Sequence, residues 1–234
     1  MFDPEFDDYV MDYEQQHRES IRVTGEDPEY FSDYKIRDLK RLVGKWGLEN
    51  PTILDFGSGM GNSLPGFRTY FPENSVACAD VSSKSLAAAH TRHGGNEPQL
   101  LISENRLPAP DASFDITFTA CVFHHIPQDE HLHWLCELRR VTRPGGHIVI
   151  FEHNPLNPLT QHAVRKCAFD VNAVLISAHE MKRRLRKAGW TTPRADFHIF
   201  FPHVLARLRP IESLLRWCPA GGQYACHAIT LSAP

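Results

Sequence analysis

The run Asp55-Phe56-Gly57-Ser58-Gly59-Met60-Gly61 sets a carboxylate two residues ahead of three alternating glycines. Glycines let a backbone turn sharply and approach a ligand closely. A helix start expected just after them offers N–H groups to an anion. Asp80 lies 19 residues beyond Gly61, at the end of the next apolar run, where a carboxylate can accept hydrogen bonds from both hydroxyls of a ribose. Farther on, His124-His125 and Glu152-His153 supply imidazoles whose ordinary pKa of about 6.5 suits proton transfer near neutrality. His124, His125, His153 and Glu152 are therefore the candidate catalytic groups. The chain holds 14 His, including His131, His133 and His162. None has H-x-x-x-H spacing with a carboxylate or Cys partner, and His131 and His133 do not share a helix face, so no metal site is predicted.

These residues need elements to position them. Thr52–Phe56 reads as a strand, and the glycines as the turn into a helix over about 63–70. Ser75–Ala79 and Gln99–Ile102 read as short strands around a helix capped by Ser82 or Ser83 and ended by Gly94-Gly95. Phe114–Cys121 is rich in strand-forming residues. A helix over Asp129–Val141 carries acids at its start and Arg139 and Arg140 at its end, as the helix dipole prefers. Pro144-Gly145-Gly146 reads as a turn before a strand over His147–Phe151. Asn157 before Pro158 is a helix-start signal, and Ser177-Ala178-His179-Glu180 is a capping box for a helix ending at Gly189. Strands over about 195–201 and 223–231 flank a helix near 203–216. Ahead of all this, Asp27-Pro28 starts a helix with apolar residues at Phe31, Tyr34, Leu39, Leu42, Val43 and Trp46, stopped by Gly47. Strict alternation between 52 and 152 predicts right-handed crossovers and a parallel sheet covered on both faces, with ligands beyond the carboxyl ends of its strands.

Composition narrows the function classes. Hydrophobic residues make up 42% and charged residues 23% of the 234 residues, with a formal charge of -3. That is ordinary globular usage, with no global positive field to attract nucleic acid or anionic membrane. The basic run Lys182–Lys187 reads as the solvated face of a helix that turns Met181, Leu185 and Ala188 inward. The six scattered Cys form no C-x-x-C pair, the start is acidic and without base, and no window is long enough for a membrane span. A cytoplasmic protein with reduced thiols is the expectation.

Taken in order, these motifs resemble the class I S-adenosylmethionine-dependent methyltransferases of the small-molecule type. The resemblance runs over roughly 52–152 and adds Leu107-Pro108, Ser113-Phe114-Asp115-Ile116, Phe123-His124-His125-Ile126, Arg139 to Gly146, and Ala188-Gly189-Trp190. It implies an α/β fold of Rossmann-like, doubly wound type. The mostly parallel seven-stranded sheet would carry helices on both faces and an antiparallel last strand. Asp55, Gly57, Ser58 and Gly59, with Gly61 completing the turn, would hold the amino acid end of S-adenosylmethionine. Asp80 would take the ribose and Val81 the adenine face. Where the family often has Asp before Leu-Pro this chain has Ser103, leaving Glu104 or Asn105 for the adenine amino group. Ala120 would end the fourth strand beside the cofactor, and the histidines after it would lie by the reacting methyl. The acceptor would be a small-molecule O, N or C nucleophile rather than nucleic acid, since Ala120-Cys121-Val122-Phe123 is not an Asn/Asp-Pro-Pro-aromatic run.

Residues 1–50 are expected to form an N-terminal helical segment, with 1–26 acting partly as a lid, and 51–234 the cofactor-binding domain. Two rival readings remain. A dinucleotide-dependent oxidoreductase would need Gly where Asn62 stands. A non-catalytic methyltransferase-like subunit would have no need for the Asp55, Gly57, Gly59 and Asp80 set.

Overall fold

The computed structural model describes residues 25–167 and 170–231. Helix α1 (Pro28–Trp46) begins with Asp27 in extended conformation and Pro28 at its first position, and ends on Gly47 in the left-handed region. Strand β1 (Ile53–Phe56) is buried at every residue, as expected of a strand covered on both faces. Then follow α2 (Leu64–Tyr70), β2 (Val76–Asp80), α3 (Ser83–His93), β3 (Gln99–Leu101), β4 (Phe114–Ala120), a 3-10 turn (Phe123–His125), α4 (His131–Val141) and β5 (Thr142–His153). The C-terminal part supplies α5 (Pro158–Lys166), α6 (Ala178–Lys187), β6 (Thr191–His198), a 3-10 stretch (His203–Ile211), α7 (Glu212–Leu215) and β7 (Gln223–Ile229).

The strands form one sheet in the order β3-β2-β1-β4-β5-β7-β6. β1 to β5 are parallel, while β7 runs antiparallel between β5 and β6. This is the doubly wound, seven-stranded arrangement with an antiparallel last strand that the sequence predicts. Leu54, Phe56, Ile148 and Ile150 face one layer, where Trp134, Leu135 and Leu138 of α4 meet Met181 and Leu185 of α6. Ile53, Ile116, Phe118, Val149 and Phe151 face the other, against Phe31, Leu39 and Leu42 of α1 and Phe67 of α2. Alternate residues of one strand thus serve both faces. Capping follows the sequence reading at Ser82, Asn157 and Ser177, whose side chains accept from the N–H groups of Ser85, Thr160 and Glu180.

Some boundaries differ. The turn expected at Pro144–Gly146 lies inside β5: Phe114 pairs with Thr142 but Ile116 with His147, so the extra residues bulge from one strand. The helix near 203–216 is mostly 3-10, with Leu205 off helical geometry and Pro210, which has no N–H to donate, inside it. β6 starts earlier than expected, at Thr191. Asp129 and Glu130 precede α4 rather than lying in its first turn.

Candidate functional site

β1, β2 and β4 end side by side, and the candidate residues follow from that. Asp55 sits in β1 and is almost wholly buried at 2% exposure. Its Oδ2, and the Oγ of Ser58, have no hydrogen-bond partner among the described residues. Burial, and then the neighbouring Asp80, push the Asp55 carboxyl up to about 7, while Lys35 pulls the other way. Gly57, Gly59 and Gly61 all have positive φ, at 72°, 52° and 73°. A Cβ on Gly57 would overlap the Val122 side chain, whereas one on Gly59 would meet nothing within 4 Å among the described residues. Gly57 therefore lets the turn lie against the segment after β4, and Gly59 faces open space.

The sequence reading expects N–H groups offered to an anion here, but those of Gly57, Ser58, Gly59 and Gly61 are engaged within the chain. Those of Gly57 and Ser58 donate to the Ala79 carbonyl and that of Gly61 to Ser58. The Gly59 N–H donates to Asp80 Oδ2 at 2.8 Å, and the Ser82 N–H to Asp80 Oδ1 at 2.9 Å. The turn is closed on itself, and Asp80 clamps it. A cation also stands by the site: Lys35 of α1, buried at 8% exposure, acts on the Asp55 carboxyl and donates to Cys121 Sγ at 3.2 Å. Spacing could not reveal Lys35, which belongs to a helix preceding the motif region.

Val81 follows Asp80 and is partly buried against the core. Glu104 and Asn105 form an exposed turn, both at positive φ, closed by the Arg106 N–H on the Ser103 carbonyl at 2.9 Å. The Asn105 carbonyl is engaged by His133. Ala120 ends β4 half-buried. Cys121 beyond it has φ 59°, a conformation costly for a residue with a Cβ.

The histidines behave differently from free imidazoles. His124 Nδ1 lies 2.5 Å from Glu152 Oε2, and Glu152 Oε1 accepts the N–H groups of Val122 and Phe123 at 3.1 and 2.7 Å. Glu152 is fully buried. Its acceptors are spent on the β4 loop, so it stands behind His124 instead of against a substrate, which corrects its place among the groups that could deprotonate one. His124 Nε2 and His125 Nε2 lie 3.5 and 3.4 Å from Asp170 Oδ1. Burial alone would lower the His124 pKa, but Glu152 and Asp170 raise it to about 10. Burial and the charge of His124 push His125 down to about 3. Neither ring keeps the value near 6.5 that made the pair attractive in the sequence. Burial would raise the Cys121 thiol, yet Lys35 and then His153 bring it down to about 6. His153 Nδ1 meets Gln223 Nε2 at 3.3 Å, and Gln223 accepts from the Tyr34 hydroxyl. The Asn154–Asn157 loop is structural, since the two asparagines hold the carbonyls of Pro219, Ala220 and Gly221.

The sequence model of the methyltransferase domain family matches residues 54–150, which span the glycine turn, Asp80, the β4 loop and most of β5. That stretch is a class I S-adenosylmethionine-dependent methyltransferase domain. Among curated relatives, an uncharacterized methyltransferase of Schizosaccharomyces pombe is 31% identical over 56% of this chain and 47% of its own length. The trans-aconitate 2-methyltransferase of Azoarcus is 31% identical over 54% of this chain and 50% of its own. A ubiquinone/menaquinone biosynthesis C-methyltransferase of Hahella chejuensis is 29% identical over 48% and 47%. The chain thus spans about half the length of the curated relatives it matches. A crystal structure of an S-adenosylmethionine-dependent methyltransferase of Thermotoga maritima superposes with TM-score 0.65 at 16% identity, covering 96% of this chain and 98% of that one. A phosphoethanolamine N-methyltransferase of Haemonchus contortus in complex with S-adenosylmethionine gives TM-score 0.64 at 14% identity, covering 97% and 60%. These two share the fold. The family sets aside the dinucleotide reading, and Asn62, where that fingerprint needs Gly, pairs with Arg92 at 3.2 Å.

The methyltransferase cofactor is S-adenosylmethionine, and the cradle residues fit it. A buried carboxylate with an unpartnered oxygen suits its ammonium, a buried lysine suits its carboxylate, and the space over Gly59 admits its chain. Among the described residues, no helix is long and apolar enough to cross a membrane.

Proposed function

We propose that this chain moves a methyl group from S-adenosylmethionine to an O, N or C nucleophile of a small molecule held beyond the carboxyl ends of β4 and β5. The observation that carries the reading is the unpartnered, buried Asp55 Oδ2 beside the open face of Gly59, at the carboxyl end of β1. A charged acceptor left without a donor is costly unless a ligand supplies one. Relatives named for trans-aconitate and for quinone biosynthesis support a small-molecule acceptor.

In this reading Asp55 and Ser58 receive the cofactor's ammonium, and Lys35 its carboxylate. Asp80, whose two oxygens accept the Gly59 and Ser82 N–H groups, receives the ribose hydroxyls. Val81 lies along the adenine, with Glu104 or Asn105 at its amino group. When bound, the cofactor supplies an electrophilic methyl on a good leaving group, so the chain's main task is orientation, which can recover on the order of 7–11 kcal/mol of barrier. His125 and His153 face the acceptor. His124 is held by Glu152 as a positioning residue for that loop. The 1–50 segment closes the pocket from one side through Tyr34 and Lys35. The expected lid at 1–26 lies, apart from Gly25 and Glu26, outside the described residues.

Isothermal titration of S-adenosylhomocysteine and, separately, NAD into the purified chain tests this. S-Adenosylhomocysteine should bind and NAD should not, and Asp55→Ala should abolish the heat while leaving the fold intact by circular dichroism. Binding of NAD, or unchanged binding by the variant, would overturn the assignment.

A further inference from the structure

The acceptor end of the site contains a cluster whose geometry exceeds what a hydrogen-bond network needs. One ring nitrogen each of His124 and His125 and a carboxylate oxygen of Asp170 lie within 4.8 Å of one another. Asp170 Oδ1 is 3.5 Å from His124 Nε2 and 3.4 Å from His125 Nε2. Ligand atoms about 2.0–2.2 Å from one tetrahedral ion sit roughly 3.3–3.6 Å apart, so these two separations already suit a shared ion. The ligand set is two imidazoles and one carboxylate, which suits a first-row transition dication and not Mg²⁺ or Ca²⁺.

A second observation points the same way. A ligating histidine usually donates its other ring N–H to a carboxylate, which fixes the tautomer and aims the free nitrogen. His124 does this with Glu152 at 2.5 Å, and Glu152 is itself fixed by the N–H groups of Val122 and Phe123. The third ligand is held to the same turn, because the Val174 N–H donates to the His124 carbonyl at 2.9 Å. The spacing rules missed this site because two ligands are adjacent in sequence and the third comes from the α5–α6 connection, brought over by the fold.

We propose that His124 Nε2, His125 Nε2 and Asp170 bind one transition-metal dication of the zinc type, with Glu152 orienting His124. Three protein ligands leave such an ion an open position for an oxygen ligand. This proposal concerns the metal alone and does not depend on the methyltransferase reading.

The experiment titrates Co²⁺, followed by its visible absorption, and Zn²⁺, followed by calorimetry, into metal-stripped full-length chain without cofactor. One equivalent should bind. Asp170→Asn and His125→Ala should each weaken binding at least tenfold, and Glu152→Gln by 10–100-fold. Thermal melts of the metal-free variants, together with S-adenosylhomocysteine binding, identify any that fail to fold. The conservative Asp170→Glu, which keeps a ligand oxygen, provides a second reading and should retain part of the affinity. Absence of stoichiometric binding by the wild type, or binding unaffected in folded Asp170→Asn and His125→Ala, overturns the proposal. In that case the cluster is an imidazolium held between two carboxylates. Failure of the wild type to bind S-adenosylhomocysteine while it binds the metal would instead count against the cofactor reading alone.

Discussion

The Lys35 ammonium lies 3.2 Å from the Cys121 sulfur, joining a helix that precedes the sheet to the end of its fourth strand. Lys35 is buried and Cys121 half-buried, and the ammonium favours the thiolate form of Cys121. The contact makes α1 part of the pocket wall.

Lys35→Met should release the Cys121 thiol. Its pKa, about 6 in the native chain, should rise, because burial would then act with less opposition. Iodoacetamide labelling at Cys121, mapped by mass spectrometry across pH, should show the midpoint move upward. The same variant should bind S-adenosylhomocysteine more weakly by about 1–3 kcal/mol, the range for a lost charged hydrogen bond. An unmoved midpoint would show that Lys35 does not set the thiolate.

Asp55 couples stability and binding in opposite directions. Its carboxyl has an ordinary value of 3.8 and a folded value of about 7. The folded chain therefore holds a proton that the unfolded chain loses, and this contribution falls away as pH rises from 3.8 to about 7. The difference corresponds to roughly 4 kcal/mol. Asp55→Asn should raise the melting temperature of the ligand-free chain above pH 7 and abolish S-adenosylhomocysteine binding. In the wild type, affinity should climb with pH through about 7, because the ionised carboxylate receives the ammonium. Calorimetry across pH checks the slope, and a flat profile would remove Asp55 from the ammonium site.

Two glycines of one turn should respond differently. Gly57→Ala places a Cβ into Val122 at φ 72° and should cost about 1–3 kcal/mol of stability. Val122→Ala in the same chain should recover the steric part. Gly59→Ala meets no atom within 4 Å among the described residues and should cost only about 1–2 kcal/mol of backbone strain, yet lower cofactor affinity at least tenfold. Denaturant melts paired with titrations separate the two.

In the metal-free chain neither histidine of the β4 loop should titrate near neutrality. His124 is held protonated to about 10 and His125 neutral down to about 3. The stability that His124 gains from its carboxylates is complete below about 6.5 and is lost as pH rises toward 10. Ring NMR signals assigned by His124→Gln and His125→Gln should stay unchanged between pH 5 and 8, the range where a free imidazole titrates. A ring midpoint within that window would contradict the network.

The order of elements was readable because its signals are local. Ser82, Asn157 and Ser177 cap helices through side chains three residues from their partners. The alternating elements over 52–152 require a parallel sheet. The glycine turn and Asp80 were readable for the same reason. Contacts that depend on register were not. Lys35 meets Cys121, Glu152 meets His124, and Asp170 meets two histidines only after the sheet has formed. The Pro144–Gly146 bulge looks like a turn because both use the same residues, and only pairing with β4 tells them apart.

The hydrogen bonds that close the glycine turn onto Ala79 and Asp80 bear on the rate of binding as well as its strength. A loop already pinned in its working shape has little left to order on encounter. Capture of the cofactor by this turn should therefore be a single fast step whose rate follows ligand concentration linearly, without the plateau that a slow loop rearrangement imposes.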